Sequence, residues 1–272
     1  LKQFNISRFV TTKISWNEYN KMPHDTFMWR GLDGSEVLTH FITTPEIGRP
    51  IDHMYSTYNG QISPRTVIGT WNKYEDKDIN KDLLISYGYG DGGGGPTRNM
   101  IMMRRALDKI PGIPKVKSTG VKEYLDIVED HVKHTNGYVH TWNGELYLET
   151  HRGTYTSQAR NKWQNRRTEY GLIHAEMLGV MSLLQGGAYE AKTLEDLWRV
   201  LLLNQFHDII PGSSIHEVYE DSQKQYAKVW ERLDDVFKKH GAKGFTAQKD
   251  VYTAMNYTLF DRTELWHIAR ED

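Results

Sequence analysis

A glycine-rich run in the first half of the chain contains one isolated carboxyl group, Asp91. The run follows the apolar residues 83–87 and precedes a stretch of helical composition, and ligands of open α/β sheets bind at such carboxyl ends of strands. Glycine permits positive φ and a close approach of a ligand to the backbone. Asp91 can therefore act as a general acid. A flexible turn and a phosphate cradle are the alternatives, although no Lys-Ser/Thr pair follows as a P-loop requires. The run reads Gly88-Tyr89-Gly90-Asp91-Gly92-Gly93-Gly94-Gly95-Pro96-Thr97.

His207 and Asp208 form a second candidate, at a point where a helix must end because Pro211 disfavours helical dihedral angles at Ile210. Imidazole nitrogen and carboxylate oxygen are usual ligands of zinc, so this pair can supply part of a metal site. The alternative is structural, since a histidine at the C-terminus of a helix also interacts favourably with the helix dipole.

The third candidate is residues 151–157, which join the two halves of the chain. Arg152 and Tyr155 have donors that can hydrogen-bond a polyol, whereas the Thr and Ser residues of this segment can equally cap the helix that follows. The basic residues that come next, at positions 160–167, are expected to form a solvated helix face.

The amino-acid composition limits which binding partners and which cellular compartment are expected for the chain. Thirty-four Lys and Arg against 35 Asp and Glu leave the 272 residues nearly neutral, so neither nucleic-acid nor membrane-surface binding is expected. The eight Trp and 16 Tyr can stack on sugar rings, although aromatic side chains more often fill cores. Cysteine is absent, which excludes thiolate ligands and cysteine nucleophiles and fits a reducing, cytoplasmic compartment. Neither an apolar run of about 18 residues nor a secretory signal pattern is present.

The first half of the chain is predicted to form an α/β layer. Residues 25–44 read as a hairpin around Asp33-Gly34, and residues 138–149 as a second hairpin around Asn143-Gly144. Between them, strands are predicted at residues 83–87 and 115–118, each followed by a helix, at residues 97–110 and 121–134. Strand followed by helix, twice over, predicts a parallel sheet.

The second half shows helical periodicity. A first helix is expected to end at Gly186-Gly187, and its apolar face is predicted to consist of Trp163, Tyr170, Ile173, Met177, Met181 and Leu184. Capping boxes formed by Thr193 with Asp196 and by Ser214 with Glu217 are expected to open two further helices. Leu197, Val200 and Leu201 are expected on the inner face of the second helix, and a stripe from Ile215 to Phe237 on the third. These helices predict an all-α three-helix bundle, with a strand after it at residues 251–259.

Several long segments of the chain resemble the glycoside hydrolase family 38 α-mannosidases, specifically their cytosolic and bacterial branch. In chain order the segments are KISWNEYNKMPHDTFMWRGLDGSEVLTHF, YSTYNG, GYGDGGGGPTR, GELYLETHRGTYTSQARNKWQNRR and LLNQFHDIIPGSSIHEVYED. The resemblance implies three regions: the C-terminal part of an α/β catalytic domain at residues 1–150, the three-helix bundle at 151–242, and a linker with the first strand of a β-sandwich at 243–272.

The resemblance also implies roles for the candidate residues in the retaining hydrolysis of α-mannosides. The family holds a zinc ion with two His and two Asp ligands; His207 matches the ligand from the bundle, and Asp208 the adjacent carboxylate that contacts the sugar. Asp91 matches the general acid/base, although Gly92 replaces a second Asp present in the Golgi and lysosomal branch. His151 falls where the Golgi branch has a substrate-stacking Trp.

In the enzymes that the chain resembles, the nucleophilic Asp and a His-x-Asp zinc motif lie before the segment that matches this chain from Leu1 onward. No His-x-Asp is found in this chain. We therefore expect a fragment cut from a larger enzyme, without a nucleophile, that binds zinc poorly and hydrolyses nothing alone. An oligosaccharide substrate and a possible oligomer are the expected partners. The alternatives are a non-catalytic carbohydrate-binding or interaction module and a zinc-dependent hydrolase of another bond, such as a deacetylase.

Overall fold

The computed structural model describes residues 1–241, 251–252 and 254–265, which divide into two compact units, Leu1–Arg152 and Gly153 onward. None of the helices in these ranges is long and apolar enough to cross a membrane. Short 3-10 turns lie at Lys2–Phe4, Lys13–Ser15 and Glu149–Tyr155. The strands and α-helices of the described residues are β1 (Arg8–Thr11), β2 (Thr26–Arg30), β3 (Glu36–Phe41), α1 (Pro64–Lys73), α2 (Arg98–Leu107), α3 (Val121–His134), β4 (Thr141–Asn143), α4 (Ala159–Leu184), α5 (Ala191–Asn204) and α6 (His216–His240).

The first unit contains a four-stranded sheet in the order β1-β3-β2-β4. Strands β2 and β3 form the predicted antiparallel hairpin, and the Asp33 carboxylate accepts a hydrogen bond from the Ser35 N–H at 3.0 Å in its turn. Gly34 occupies φ +79° in that turn, a conformation that favours glycine. Strand β1 joins β3 in parallel and β4 joins β2 in parallel. The sheet is therefore mixed: its central pair is the predicted antiparallel hairpin, and both outer pairs are parallel.

The two strands predicted within the α/β layer do not form. Residues 83–87 and 115–118 both help to line a cavity of about 270 Å³, and Tyr87 makes an isolated bridge to Gly60. A strand needs a run of hydrogen bonds with a neighbouring backbone, and within the described residues only Gly60 pairs with the first segment. The second predicted hairpin is also wrong, because β4 pairs with β2 and the chain turns at Gly144 into the 3-10 turn.

Helices α2 and α3 confirm the predicted helices at residues 97–110 and 121–134. Thr97 caps α2, its hydroxyl accepting a hydrogen bond from the Met100 N–H at 3.3 Å. Tyr124, Leu125 and Val128 of α3 are buried in a cluster with Leu38 of β3. Helix α3 thus covers one face of the sheet.

In the second unit, α4, α5 and α6 pack around a shared apolar cluster. Of the three residues predicted to face inward from α5, Leu197 and Leu201 are 1% and 0% exposed, and Val200 is partly buried against the same cluster. Helix α4 ends at Leu184 and Gly186 follows at φ +79°, which confirms the predicted stop at the glycine pair. The buried members of the cluster are Leu172, Ala175, Leu194, Leu197, Leu201, Tyr226, Val229, Leu233 and Val236.

The inner face predicted for α4 is wrong. Trp163, Tyr170 and Leu184 are 57%, 62% and 82% exposed, and Ile173 and Met177 are also exposed. The buried face consists of Leu172, Ala175 and Leu178. Apolar residues recur at helical spacing on both faces of α4, so periodicity alone cannot select the face that packs.

Both predicted capping boxes are wrong. Helices α5 and α6 begin after Glu190 and Ile215, and neither residue caps with its side chain. The Ser214 hydroxyl donates to the Asp208 carbonyl instead. Residues 251–252 and 254–259 form no strand where one was predicted, and residues 243–250, 253 and 266–272 of the third predicted region lie outside the described residues.

A reciprocal pair of carboxylates fastens the start of β2 to the turn after α1. The Asp25 carboxylate accepts from the Glu75 N–H at 2.9 Å, and the Asp76 carboxylate accepts from the N–H groups of Asp25 and Thr26 at 2.7 and 2.8 Å. Burial raises the pKa of Asp25 to about 7; the Glu75 N–H and Lys21 lower it, while Asp76 raises it further.

The raised pKa of Asp25 predicts a loss of stability with rising pH. Between the ordinary carboxyl pKa of 3.8 and about 7, the folded state keeps a proton that the unfolded state has released, so stability present at low pH is lost across this window. We expect the free energy of unfolding of Asp25→Asn to equal that of the parent near pH 4. At pH 8 it should be larger than that of the parent by on the order of 1–4 kcal/mol. Urea unfolding of both proteins across this range measures the difference, and parallel pH profiles would contradict the prediction.

Candidate functional site

The glycine-rich loop of the first unit is attached to residues 58–60 by backbone hydrogen bonds. The Gly60 N–H donates to the Ser86 carbonyl at 3.1 Å, and the Gly88 N–H donates to the Gly60 carbonyl at 2.9 Å. The Ser86 hydroxyl donates to the Tyr58 carbonyl at 3.0 Å. The loop closes on itself where the Tyr89 N–H donates to the Gly95 carbonyl at 3.1 Å. These bonds place the predicted acid loop beside Tyr58.

Asp91 lies at the exposed tip of this loop with φ +57°, a left-handed conformation that aspartate adopts more readily than most residues. Gly92 and Gly94 follow at φ +88° and +117°. The Asp91 carboxyl lies near the Tyr58 side chain. Burial raises the pKa of Tyr58, and the nearby charge of Asp91 raises it further.

An aromatic cluster connects Tyr58 to His151. The rings of Trp16 and Tyr58 lie 6.5 Å apart, and the rings of Trp16 and His151 are stacked at 5.8 Å. The Lys13 ammonium lies 4.4 Å from the Trp16 ring and 5.1 Å from the Tyr58 ring. The structure therefore brings Asp91 and His151 into one cluster, through two residues that were assigned no role from the sequence. Tyr58 belongs to the segment YSTYNG, which carries part of the family resemblance.

Arg152 lies next to this cluster in the chain, and the neighbouring Tyr147 side chain raises the pKa of Arg152. Glu149 anchors the same segment, because its carboxylate accepts from the backbone N–H groups of Glu18 and Tyr19. A cavity of about 200 Å³ opens between these residues. Tyr155, the other predicted polyol contact, belongs to the second unit and is 62% exposed.

His207 and Asp208 lie in the turn after α5, in the second unit. Their side chains are 79% and 61% exposed, and His207 Nε2 lies 3.7 Å from Asp208 Oδ2. The imidazole ring is 4.3 Å from the Phe206 ring. A structural zinc site takes about four protein ligands and a catalytic one about three. In the described ranges no group of three or more His, Cys, Asp or Glu side chains can hold a metal ion. These residues can supply at most part of a zinc site and do not fit a complete one.

The turn that carries His207 is held from three sides. The Lys162 ammonium donates to the carbonyls of Ser157 and Ile210 at 2.6 and 2.8 Å, and burial lowers the pKa of Lys162. Ser214 bonds the Asp208 carbonyl, and the Tyr219 hydroxyl donates to the Ile209 carbonyl at 3.3 Å. The residues at positions 160, 166 and 167 are exposed to solvent as predicted, whereas Lys162 is partly buried and bonds this turn.

Replacing Lys162 with methionine is expected to loosen this turn without unfolding α5. The variant loses two hydrogen bonds from a charged donor and keeps the aliphatic stem, so the local cost is about 1–3 kcal/mol. Hydrogen exchange should accelerate about tenfold or more at the amides of Ile209, Ile210 and Gly212.

The matched control is Lys192→Met, which removes an exposed ion pair with Asp196 and should leave exchange in the turn unchanged. Equal exchange at the three amides in Lys162→Met and the parent would show that Lys162 does not hold the turn.

Comparison with known proteins assigns the chain to a family of glycosidases. Residues 1–145 match the model described as the glycosyl hydrolases family 38 N-terminal domain, and residues 149–243 match the alpha mannosidase middle domain. The chain therefore belongs to glycosyl hydrolase family 38.

Two relatives and one solved structure show how far the likeness extends. Alpha-mannosidase G of Dictyostelium discoideum is 41% identical over 229 residues, 84% of this chain and 20% of the relative. Alpha-mannosidase 2C1 of Mus musculus is 40% identical over 226 residues, 82% of this chain and 20% of the relative. The crystal structure of an alpha-mannosidase from Enterococcus faecalis V583 has the same fold, with a TM-score of 0.63 and 18% identity, over 86% of this chain and 26% of that one. The chain therefore spans 20% of the length of each of these curated relatives.

Proposed function

We propose that this chain is part of a retaining, zinc-dependent α-mannosidase that hydrolyses α-linked mannosides. The observation that carries the proposal is the single carboxyl group of Asp91, held at the exposed tip of a glycine-rich loop that is bonded to residues 58–60, in a chain of this family. The two curated relatives are named alpha-mannosidases, which supports the choice of sugar.

In this proposal Asp91 acts twice. Its protonated carboxyl gives a proton to the glycosidic oxygen as the bond to the leaving sugar breaks, and the resulting carboxylate later takes a proton from the water that releases mannose. The nucleophile that forms the covalent intermediate is not assigned to this chain. His151 and Arg152 of the first unit, and Tyr155 and Asp208 of the second, are proposed to contact substrate hydroxyl groups.

Zinc and the domain arrangement belong to the same proposal. His207 would supply one zinc ligand, and the family resemblance assigns the remaining ligands to a His-x-Asp motif and the nucleophilic Asp of the longer protein. We assign residues 1–150 to the α/β catalytic domain, residues 151–242, including α4, α5 and α6, to a three-helix bundle, and residues 243–272 to the start of a β-sandwich. A cytoplasmic protein that binds neither nucleic acid nor membrane agrees with the absence of cysteine and the near-zero charge.

Assays of two polypeptides test the proposal. A longer polypeptide that includes these 272 residues and the His-x-Asp segment should hydrolyse a 4-nitrophenyl α-mannoside and lose the activity on complete metal removal. The 272 residues alone should show neither turnover nor tight zinc binding. Activity of the longer protein that survives complete metal removal would contradict zinc dependence. Turnover by the 272 residues would contradict the expectation that they lack the nucleophile.

A non-catalytic carbohydrate-binding module is the second candidate, favoured by the absence of any three-ligand metal group in the described residues. It predicts that the longer polypeptide binds methyl α-mannoside in a calorimetric titration without hydrolysing any α-mannoside. Hydrolysis would dismiss it.

A further inference from the structure

Asn17 fastens the segment that leads into His151. The Asn17 side chain is buried, its Nδ2 donates to the Tyr147 carbonyl at 3.2 Å, and its Oδ1 accepts from the Glu149 N–H at 2.7 Å. Both ends of one buried amide are therefore bonded to a segment from the far end of the first unit. Because a buried amide that loses such bonds leaves polar groups unsatisfied, this side chain fixes the backbone of residues 147–149.

The same two segments are bonded a second time in the opposite direction. The Glu149 carboxylate accepts from the backbone N–H groups of Glu18 and Tyr19, the two residues that follow Asn17. The 3-10 turn that contains His151 begins at Glu149. The backbone of His151 therefore lies two residues from a position that is anchored through both its N–H and its side chain.

The indole ring of Trp16 supports the side chain of His151. The indole N–H donates to the Ser56 carbonyl at 2.9 Å, and the Ser56 N–H donates to the Ser15 hydroxyl at 2.8 Å. These bonds tie the indole to its own segment. The His151 ring is stacked on it, with the ring centres 5.8 Å apart and the planes at 30°. An exposed imidazole is thus placed against a ring that is itself bonded in position.

One ring nitrogen of His151 remains for a ligand. Nδ1 lies 2.9 Å from the Thr150 hydroxyl, at hydrogen-bond distance, whereas Nε2 makes no hydrogen bond within the part of the chain that the structure describes. A neutral imidazole nitrogen either donates or accepts, and a sugar hydroxyl can do both. Nε2 therefore has the chemistry to bond a hydroxyl group of a mannoside.

We propose that Trp16 and Asn17 are positioning residues for His151, whose Nε2 bonds a hydroxyl group of the bound mannoside. This inference rests on the proposed function, in which His151 contacts the substrate. Asn17 sets the position of the backbone, and Trp16 sets the orientation of the ring. Both residues act through His151, and the contact transfers no proton.

The first test measures the arrangement in the 272-residue chain without any mannosidase assay. The ring protons of ¹³C-labelled histidines are observed by NMR, with His151→Gln identifying the His151 signal. Trp16→Leu should move this signal toward that of a solvent-exposed imidazole, because the ring current of the stacked indole is removed. Trp163→Leu, which removes an exposed indole of the second unit, is the control and should leave the signal unchanged. An unchanged His151 signal in Trp16→Leu overturns the inference.

Hydrogen exchange tests the role of Asn17 in the same chain. Asn17→Ala should accelerate exchange of the Glu149 amide about tenfold or more, since that N–H loses its acceptor. Asn20→Ala is the matched control, because Asn20 also reaches Glu149 but through an exposed bond of 3.4 Å, and exchange should stay unchanged. The Val128 amide of α3 reports whether the first unit remains folded; if Asn17→Ala unfolds it, Asn17→Ser takes its place. Unchanged exchange at Glu149 in a folded variant overturns the role of Asn17.

The second test uses the longer polypeptide and 4-nitrophenyl α-mannoside. Trp16→Leu and His151→Ala should each raise KM about 3–10-fold and change kcat less than about twofold, the effect of losing one neutral hydrogen bond to bound substrate. Trp16→Phe, which keeps an aromatic face for His151, should restore most of the affinity. Adding Trp16→Leu to His151→Ala should raise KM no further, since Trp16 acts through His151.

The outcomes separate this inference from the proposed function. Additive increases in KM in the double variant would mean that Trp16 acts independently of His151 and would overturn the inference alone. An unchanged KM in His151→Ala would remove the substrate contact and overturn it as well. No turnover of any mannoside by the parent polypeptide would overturn the proposed function, and this inference with it, even if NMR showed the stack.

Discussion

Replacing Asp91 with asparagine is expected to lower kcat/KM for an unactivated α-mannoside about 10²–10⁴-fold in the longer polypeptide, the range that a positioned general acid contributes. Asparagine has nearly the same shape, but it cannot give a proton to the glycosidic oxygen. The loss should therefore shrink for 2,4-dinitrophenyl α-mannoside, whose leaving group departs without protonation. Steady-state kinetics with both substrates measure the two losses.

Asp52→Asn is the matched control for this prediction. Asp52 is also exposed in the first unit, and its segment does not match the family's nucleophile motif, so the change should alter kcat/KM less than about twofold. If Asp91→Asn kept the parent activity on the unactivated substrate, the general acid would have to lie elsewhere. A loss of equal size on both substrates would indicate disruption of the loop instead of missing proton transfer.

The neighbourhood of Asp91 shows what the sequence could predict at this site. The loop and the helix after it were predicted from glycines followed by a stretch of helical composition, and α2 begins directly after Thr97, which caps it. The contact with Tyr58 could not be predicted, because it depends on hydrogen bonds between segments about 30 residues apart. A partly buried Tyr in YSTYNG looks the same in sequence whether it fills a core or lies beside a carboxylate.

Strand prediction failed where pairing decides the outcome. Residues 83–87 have the apolar composition of a buried strand, and Leu84 and Ile85 do pack against apolar clusters. Composition reports burial, whereas a strand also requires a neighbouring backbone at the right spacing. The β2–β3 hairpin was predicted because its partner is adjacent in the chain and its Asp-Gly turn is local.

Helix ends and helix faces failed for different reasons. Helix α1 was not predicted, although Ser63 and Pro64 are a strong start signal: the Ser63 hydroxyl accepts from the Thr66 N–H at 3.2 Å. Ser214 was read as the same kind of signal, but its hydroxyl is used to bond the turn at Asp208. For α4, two apolar faces compete, and only packing against α5 and α6 decides between them.

Replacing Leu201 with alanine should be among the most destabilising single changes in the second unit. Leu201 is 0% exposed and lies in the cluster shared by α4, α5 and α6. The substitution removes buried methyl groups and leaves a cavity that its neighbours fill only in part, a loss of about 2–5 kcal/mol. Hydrogen exchange at slow amides of α5 and α6 reports the opening free energy of this unit without assuming that both units unfold together.

Leu202 provides a control of the same residue type, one position along the same helix. It is 58% exposed, so Leu202→Ala removes little buried surface, and alanine has a slightly higher helix propensity. The expected change is within about 0.5 kcal/mol. Since the two leucines differ only in the face they occupy, a large loss at Leu201 with none at Leu202 fixes the orientation of α5. Equal losses would mean that both faces of α5 are covered and that the exposed side of this helix packs against another part of the protein.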